Sequence, residues 1–247
     1  MITLGIDIGG SATKGALVDT ETGKMVSERV RYETEALVKP REVAAIVEKI
    51  RKKLGYHGII GAGYPGVVKK GVAMTAANLH KNWIGTDVAA LIFNQTGQIT
   101  TVLNDADAAG LAEMRFGVEE AREYKTVLFI TVGTGIGSAL FVDGHLIPNT
   151  ELGHLKIRGK DAEHRASDAV RQRDDLSWKK WGKCFTEVLQ TYEFLFNPDL
   201  FILGGGISSK YESYAEFLKV KTKILPAKLE NTAGIIGAGM AAQEASQ

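Results

Sequence analysis

The sequence has almost no cysteine. Cys184 is the only one in 247 residues, so the chain cannot form an internal disulfide or a metal site built from several cysteines. No charge of either sign dominates, because 30 Lys and Arg residues stand against 29 Asp and Glu residues. Binding to a nucleic-acid backbone relies on a basic excess that this chain lacks, so we expect no nucleic-acid partner.

Long hydrophobic runs are missing as well. The longest, such as 127–132, fall far short of the roughly 20 residues that cross a bilayer. Met1 leads directly into an alternating apolar stretch, which differs from the pattern of a signal peptide. We therefore expect no membrane association and a cytoplasmic location.

The first feature that the sequence does contain is a glycine-tipped hairpin at residues 2–19, ITLGIDIGGSATKGALVD. Apolar residues alternate before the tip and return after it, as in two paired strands. The tip GGS (9–11) has Asp7 before it and Lys14 after it. Without Cβ atoms, a glycine tip can bring its backbone N–H groups close to phosphate oxygens. Taken alone, the pattern is more typical of an ordinary edge hairpin.

The same pattern returns 124 residues later, in LFITVGTGIGSALFVD (128–143), where Leu4 aligns with Leu128 and Gly9 with Gly133. A repeat at one fixed offset indicates two related halves, each beginning with a glycine-tipped hairpin. Two such tips facing each other across a cleft would bind a phosphorylated ligand. The second set of glycines also resembles a dinucleotide fingerprint, but there the glycines open a helix. Here a β-prone run, SALFV, follows them, which excludes an NAD site.

Capping residues and apolar spacing predict the other elements. The helices are expected at 40–54, 88–94, 105–117, 178–196 and 233–245, and the strands at 58–66, 99–103, 199–203 and 221–229. Pro226 indicates that the last strand lies at an edge. The expected buried face of the helix at 178–196 consists of Trp181, Val188, Leu189, Tyr192 and Leu195.

Asp105 follows Asn104 at the point where a strand ends and a helix of small residues begins. The field at a helix N-terminus favours an ionised carboxylate. Asp105 is therefore predicted to be an N-cap, a role that is compatible with acting as a general base.

Together these motifs resemble the ROK family of sugar kinases, within the actin and hexokinase superfamily. The matching segments run in order along the chain: DIGGS with Lys14 (7–14), NDA (104–106), GTGIG (133–137), ELGH (151–154), EHRAS (163–167) and GGG (204–206). The resemblance implies an α/β, two-lobed, actin-like and hexokinase-like (ribonuclease H-like) fold with an interlobe cleft. It implies a small N-terminal lobe, 1–108 plus 235–247, and a large C-terminal lobe, 109–234.

The same resemblance implies roles for single residues. Asp105 is the expected catalytic general base. The expected sugar-binding residues are Asn78, Asn104, Asp105, Glu151, His154 and Glu163. The expected phosphate- and nucleotide-binding residues are Asp7, Gly9, Gly10, Ser11, Lys14, Gly133, Thr134, Gly135, Gly204, Gly205 and Gly206. Asp7 is also expected to hold Mg²⁺, directly or through water.

Within the family, the short polyphosphate glucokinases are the most similar, through PNTELGHL (148–155), LSWKKW (176–181) and NPDLFILGGGIS (197–208). Mainstream ROK kinases follow the histidine of the ExGH motif with a Cys-rich zinc site, which this chain cannot build, so no zinc is expected. The resemblance implies phosphoryl transfer from inorganic polyphosphate, with ATP as a further donor, to the 6-hydroxyl of glucose. It also implies a homodimer.

A polyphosphate chain would follow a basic track, because a site lined by one sign of charge attracts a polyanion. The candidates are Lys156, Arg158, Lys160, Arg165, Arg171, Arg173, Lys179 and Lys180. Most of them are explained equally well as solvated positions on helix faces.

Three other functions are weighed against this one. An ATP-dependent ROK hexokinase acting on glucose, mannose or an N-acetylhexosamine would carry the same motifs. A ROK transcriptional repressor would need a DNA-binding domain before the first hairpin, and we expect none because that hairpin begins at Ile2. A filament-forming actin relative would have no use for the NDA and ELGH segments.

Overall fold

A computed structural model describes residues 1–77 and 79–246. The chain forms two compact units, Met1–Ala112 with Thr232–Gln247, and Glu113–Asn231. The lobe boundaries expected from the resemblance, after residue 108 and before residue 235, stay a prediction.

The first unit is built on a six-stranded sheet with the order β3-β2-β1-β5-β8, in which β4 also pairs with β2. β1 and β2 are antiparallel, whereas β5 and β8 continue the sheet in parallel with β1. The elements of the first unit are, in chain order, β1 (Ile2–Ile8), β2 (Ala12–Asp19), β3 (Lys24–Met25), β4 (Val30–Glu33), α1 (Pro40–Lys53), β5 (Ile60–Tyr64), β6 (Val68–Lys69), β7 (Val72–Ala73), α2 (Val88–Thr96), β8 (Thr100–Asn104) and α3 (Asp105–Ala112).

The second unit is built on a five-stranded sheet with the order β11-β10-β9-β14-β15. It begins with a π-helical turn, Glu113–Gly117. The other elements are β9 (Thr126–Val132), β10 (Ile136–Val142), β11 (His145–Ile147), a 3₁₀ turn (Leu152–His154), β12 (Lys156–Ile157), β13 (Lys160–Asp161), α4 (Glu163–Ala166), α5 (Asp168–Arg173), α6 (Trp178–Phe196), β14 (Leu200–Gly204), α7 (Tyr211–Tyr214) and β15 (Lys223–Pro226). β15 lies at the edge, as Pro226 indicated.

The two sheets follow one plan, and this confirms the repeat seen in the sequence. In each, an antiparallel hairpin is followed by two strands parallel to its first strand. The aligned residues of β1 and β9 are completely buried in both units: Leu4, Ile6, Ile8, Leu128, Ile130 and Val132. The run SALFV lies in β10, so the exclusion of a Rossmann unit is confirmed.

The last helix, α8 (Ala233–Glu244), packs in the first unit against β1, β5 and α3. Glycines allow this contact to be close. A Cβ built on Gly61 would lie 1.7 Å from the carbonyl oxygen of Ala238, and one on Gly237 would lie 1.7 Å from that of Ala108. Any larger residue at either position would force the backbones apart.

Helix α6 is capped as predicted, with Ser177 accepting from the Lys180 N–H and Asn197 in the left-handed conformation at the end. Leu195, expected on the buried face, is instead 51% exposed. Phe196 packs against the core in its place, because it follows the buried Tyr192 by four residues, about one helical turn. Within the described parts of the chain, no helix is both long and apolar enough to cross a membrane.

Glu113 is the completely buried acid of the second unit's first turn. Its two carboxylate oxygens accept the backbone N–H groups of Lys228 at 3.0 Å and Leu229 at 2.7 Å. It thereby joins the two segments at which the chain enters and leaves this unit. Burial raises the pKa of Glu113, and the two N–H donors only partly oppose that rise.

This raised pKa predicts a pH-dependent stability. The folded state holds the Glu113 proton above pH 4.5, where the unfolded state releases it, so the free energy of unfolding falls as pH rises through that window. Relative to Glu113→Gln, the wild type should lose stability by at most about 1.4 kcal/mol per pH unit. Urea unfolding between pH 4 and 8 measures this difference.

The matched control is Glu120→Gln. Lys223 lowers the pKa of the exposed Glu120 carboxyl, so the difference between wild type and this variant should change with pH in the opposite direction. A difference for Glu113→Gln that stays constant or grows with pH would contradict the assignment.

Candidate active site

The tip of the first hairpin is held in place by its neighbours. Thr34 donates its N–H to the Ser11 carbonyl at 3.0 Å and its hydroxyl to the Gly10 carbonyl at 3.3 Å. Asp7 and Lys14 are partners across the β1–β2 ladder, and Lys14 Nζ lies 3.2 Å from Asp7 Oδ2. A carboxylate and an ammonium group, both partly exposed, therefore stand together beside the tip.

Asn104 and Asp105 lie where β8 meets α3, and Asn104 performs the capping that was expected of Asp105. The Asn104 side-chain oxygen accepts from the N–H groups of Ala106 at 2.8 Å and Asp107 at 3.0 Å, while its nitrogen donates to the Gly66 carbonyl at 3.1 Å. Asp105 is the first helical residue, with Oδ1 2.8 Å from the Ala106 nitrogen. The prediction that Asp105 is the N-cap is wrong, because Asp105 is already helical and the Asn104 oxygen, directly before the helix, accepts both the Ala106 and the Asp107 N–H groups.

Asn78, another expected sugar-binding residue, lies outside the described residues. Trp83, five residues later in the sequence, is completely buried and donates its indole N–H to the Val38 carbonyl at 2.9 Å. Trp83 also packs on Tyr64, with ring centroids 5.2 Å apart.

The second tip, at the end of β9, is closed by a hydrogen bond from the Gly133 N–H to the Gly135 carbonyl at 3.0 Å. The two glycines differ in their surroundings. A Cβ on Gly133 would have nothing within 4 Å, whereas one on Gly135 would lie 2.4 Å from Oε2 of Glu163. The same Glu163 oxygen lies 3.4 Å from the Ile136 nitrogen, so this acid is seated directly on the tip.

The third glycine turn follows β14 and lies beside the second tip. Gly205 has a φ of +78°, and a Cβ there would lie 2.6 Å from the carbonyl oxygen of Val132, the last residue of β9. Ser208 closes the turn by donating its N–H and its hydroxyl to the Gly205 carbonyl. The predicted nucleotide turn and the second predicted phosphate tip are therefore neighbours.

The turn from Glu151 to His154 is fixed by two buried side chains: Tyr192, which was expected only as a core residue, and Ser138, which the sequence did not single out. Tyr192 donates its hydroxyl to the Leu152 carbonyl at 2.7 Å, and the Leu152 N–H donates to Ser138 Oγ at 3.1 Å. Burial raises the pKa of the Tyr192 phenol, so the hydroxyl keeps its proton. Gly153 brings the turn against β10, since a Cβ there would lie 2.0 Å from the Ile136 carbonyl oxygen.

Three carboxylates surround the His154 imidazole. Nε2 lies 3.8 Å from Glu151, while Nδ1 lies 3.7 Å from Glu163 and 3.3 Å from Asp161. Burial raises the pKa of Glu151, and the nearby Glu163 charge adds to that effect while His154 opposes it. The structure thus brings the expected sugar-binding residues Glu151, His154 and Glu163 together.

Asp161 was missed in the sequence analysis. It reaches His154 through the short β12–β13 hairpin, whose turn residues Arg158 and Gly159 both have positive φ, 48° and 78°. A two-residue turn of this kind pairs the residues that flank it. The sequence signal for this two-residue turn was the glycine in the segment KIRGKD (156–161).

The expected basic track is largely neutralised within the second unit. Five of its eight candidates form ion pairs: Lys156 with Asp161, Arg158 and Arg165 with Glu187, Arg171 with Asp168, and Arg173 with Asp174. These pairs reduce the charge available to a polyanion, so the track is a weaker prediction than the glycine tips.

Comparison with known proteins agrees with the motifs and with the sheet plan. The model of the ROK family matches residues 3–168. This chain belongs to the ROK family.

Two curated relatives of this ROK protein are polyphosphate glucokinases. That of Mycobacterium tuberculosis (strain CDC 1551 / Oshkosh) is 48% identical over 238 residues, which cover 96% of this chain and 89% of the relative. That of Mycobacterium leprae is 45% identical, again over 96% of this chain and over 73% of its own.

Solved structures of sugar kinases have the same fold as this chain. The inorganic polyphosphate/ATP-glucomannokinase of Arthrobacter sp. strain KM matches with a TM-score of 0.94 and 44% identity, over 99% of both chains. A ROK family glucokinase of Streptomyces griseus, solved with glucose and AMPPNP, matches with a TM-score of 0.84 at 21% identity, over 99% of this chain and 100% of its own. The predicted α/β class and the actin-like, hexokinase-like fold are confirmed.

Some glycines of this ROK protein lie directly against backbone atoms, whereas others have free space where a Cβ would be. Replacing the two kinds by alanine should therefore change the stability of the fold by different amounts. Gly153→Ala places a Cβ against a backbone oxygen, an overpacking that costs about 1–3 kcal/mol and lowers Tm by roughly 2–12 °C. Gly133→Ala has free space and no positive φ, so its Tm should stay within about 2 °C of the wild type. Differential scanning calorimetry of both variants tests the distinction, and equal Tm losses would refute it.

Proposed function

We propose that this chain transfers the terminal phosphoryl group of inorganic polyphosphate to the 6-hydroxyl of glucose, with ATP as a further donor. The observation that carries the proposal is the 48% identity to a polyphosphate glucokinase over 96% of the chain. The likeness to a polyphosphate/ATP-glucomannokinase over 99% of both chains points the same way.

Glu151, His154 and Glu163 are the proposed core of the glucose site. Carboxylates accept hydrogen bonds from sugar hydroxyls, and an imidazole can donate or accept. Asn78 and Asn104 complete the proposed set. A site of this kind rejects analogues that lack a hydroxyl, because the polar group left behind is buried without a partner.

Asp105 is the proposed general base. It accepts the proton of the 6-hydroxyl while that oxygen bonds to the terminal phosphorus and the bond to the rest of the polyphosphate breaks. The Ala106 N–H at 2.8 Å and the N-terminus of α3 stabilise the negative carboxylate before it accepts the proton.

The glycine tips are the proposed phosphate contacts. The residues are Gly9, Gly10, Ser11 and Lys14 in the first unit, and Gly133, Thr134, Gly135, Gly204, Gly205 and Gly206 in the second. Their backbone N–H groups and the Lys14 ammonium would neutralise phosphate charge, which is most of what phosphoryl transfer requires of the protein.

Mg²⁺ is the proposed cation, held by Asp7. Mg²⁺ keeps several waters and binds through one or two carboxylates plus substrate phosphates. Lys14 Nζ lies 3.2 Å from Asp7 Oδ2, so Asp7 fits Mg²⁺ only together with bound phosphates, whose negative charge outweighs that of the ammonium group. When bound, the cation would withdraw charge from the phosphate oxygens.

Mannose is a proposed second acceptor, because the Arthrobacter enzyme is named a glucomannokinase. An ATP-dependent hexokinase acting on glucose, mannose or an N-acetylhexosamine is the alternative function, since it would use the same tips and the same ELGH turn. Homodimerisation stays a prediction from the resemblance, and a cytoplasmic location stays a prediction from the short apolar runs and the lack of a signal-peptide pattern.

A substrate matrix tests the proposal. Glucose, mannose and N-acetylmannosamine are each incubated with polyphosphate or ATP, with and without Mg²⁺, and the products are identified by ³¹P NMR. The proposal expects glucose 6-phosphate from polyphosphate and from ATP, with lower turnover of mannose and none without a divalent cation. Activity with ATP alone would favour the hexokinase alternative, and no sugar phosphate from any pair would refute both.

Asp105→Asn should lower kcat by roughly 10²–10⁴-fold while the fold is kept, because the amide cannot take the proton. The matched control is Asp87→Asn. Asp87 also lies at a helix N-terminus of the first unit, where it caps α2 by accepting from the Ala90 N–H at 2.9 Å, and it has no proposed role in the reaction. If Asp105→Asn keeps more than about a tenth of the wild-type kcat, Asp105 is not the base.

A further inference from the structure

We propose that Asp161 is a positioning residue for glucose binding, which holds the His154 ring in one orientation and keeps a proton on its Nδ1. The inference rests on the proposed function, in which His154 binds glucose. Asp161 would not touch the sugar itself. It would act through the histidine, and Lys156 would in turn hold Asp161.

The backbone supplies the first argument. The β12–β13 ladder pairs Lys156 with Asp161, and the Ala162 N–H donates to the Leu155 carbonyl at 3.0 Å. The hairpin is therefore closed on the residue that directly follows His154. This closure brings the Asp161 carboxylate to 3.3 Å from Nδ1.

Charge supplies the second argument. The Lys156 ammonium pairs with Oδ1 of Asp161 and lowers the pKa of that carboxyl, with a smaller contribution from His154. A carboxylate only accepts hydrogen bonds, so the bond from His154 requires the proton on Nδ1. Nε2 is then the nitrogen presented toward Glu151, 3.8 Å away, where a sugar hydroxyl would be bound.

Glu163 is the other acid near Nδ1, and it is the poorer partner. Its Oε1 lies 3.7 Å from Nδ1, and its Oε2 faces the Ile136 nitrogen of the second tip. Asp161 is closer and has a fixed counter-ion. This leaves Glu163 available for the sugar.

A metal ion is the main rival explanation. The ligand atoms of His154, Asp161 and Glu163 lie within 4.8 Å of one another, a spacing that a cation could use. The Lys156 ammonium on Asp161 opposes this, because its positive charge repels a cation at the same carboxylate. We therefore favour the positioning role, and metal content is one outcome of the test.

The test compares Asp161→Asn with a matched control, Asp174→Asn. Asp174 is also an ion-paired aspartate of the second unit, bound to Arg173, and it is not among the proposed glucose-binding residues. Asp161→Asn should raise the KM for glucose about 5–20-fold, or about 1–1.8 kcal/mol, because Asn keeps an acceptor oxygen and loses only the charge that strengthens the hydrogen bond. The kcat should change by less than about threefold, because only sugar binding is affected. Asp174→Asn should match the wild type in kcat and in the KM for glucose.

A double-mutant cycle with His154→Gln separates positioning from a general loss of structure. If Asp161 acts through His154, adding Asp161→Asn to His154→Gln should raise the KM by less than about twofold more. The full 5–20-fold increase in that background would overturn the proposal. If Asp161→Asn lowers Tm, Lys156→Met gives a second measurement, with a smaller rise in glucose KM expected.

Imidazole ¹⁵N NMR gives a readout that does not depend on activity. The chain has five histidines, and His154→Gln identifies the signal. In the wild type the spectrum should show a proton on Nδ1, and in Asp161→Asn it should move toward the Nε2–H form. An unchanged spectrum, or a metal ion that the wild type binds and Asp161→Asn loses, would overturn the proposal. A wild type without glucose activity would refute the proposed function, while the NMR result would still decide the His154–Asp161 pair.

Discussion

The Glu163 carboxylate is the contact on which the site of the second unit depends. Oε2 lies 3.4 Å from the Ile136 nitrogen and Oε1 lies 3.7 Å from His154 Nδ1. This position exists only because residue 135 is glycine, since a Cβ there would lie 2.4 Å from Oε2. We propose two uses for the bare tip: it leaves backbone open for phosphate, and it seats an acid that faces the proposed sugar site. The proposed phosphate tip and the proposed sugar cluster therefore share the Glu163 carboxylate.

The sequence repeat explains why each unit contains a glycine-tipped hairpin. A shift in strand register explains why the side chains beside the two tips differ. In the first, Ile8 pairs with Thr13, so Lys14 lies opposite Asp7 and forms an ion pair beside the tip. In the second, Val132 pairs with Ile136, one residue earlier. Such a shift turns side chains to the other face. Ser138, which aligns with Lys14, therefore lies opposite a buried residue and holds the Leu152 turn instead of binding a charge.

Much of the fold could be predicted from local signals, but contacts that depend on pairing could not. Alternating apolar residues and glycine tips predicted both hairpins, and capping residues predicted α1, α2 and α6. Leu195 was wrongly predicted to lie on the buried face of α6, because Phe196, about one helical turn after Tyr192, packs against the core instead. For the site, the ELGH and EHRAS segments led to Glu151, His154 and Glu163. Asp161 could be found only through the register of a two-residue turn, and Asn104 as the cap only through its geometry.

A crystal structure of the protein with glucose tests the central claim most directly, namely that the cluster around His154 binds the sugar. The account predicts glucose hydroxyls within about 2.6–3.2 Å of Glu151, His154 and Glu163, with Glu163 still seated on the second tip and His154 Nδ1 still facing Asp161. Glucose bound away from this cluster, or Glu163 turned away from it in the complex, would contradict the account.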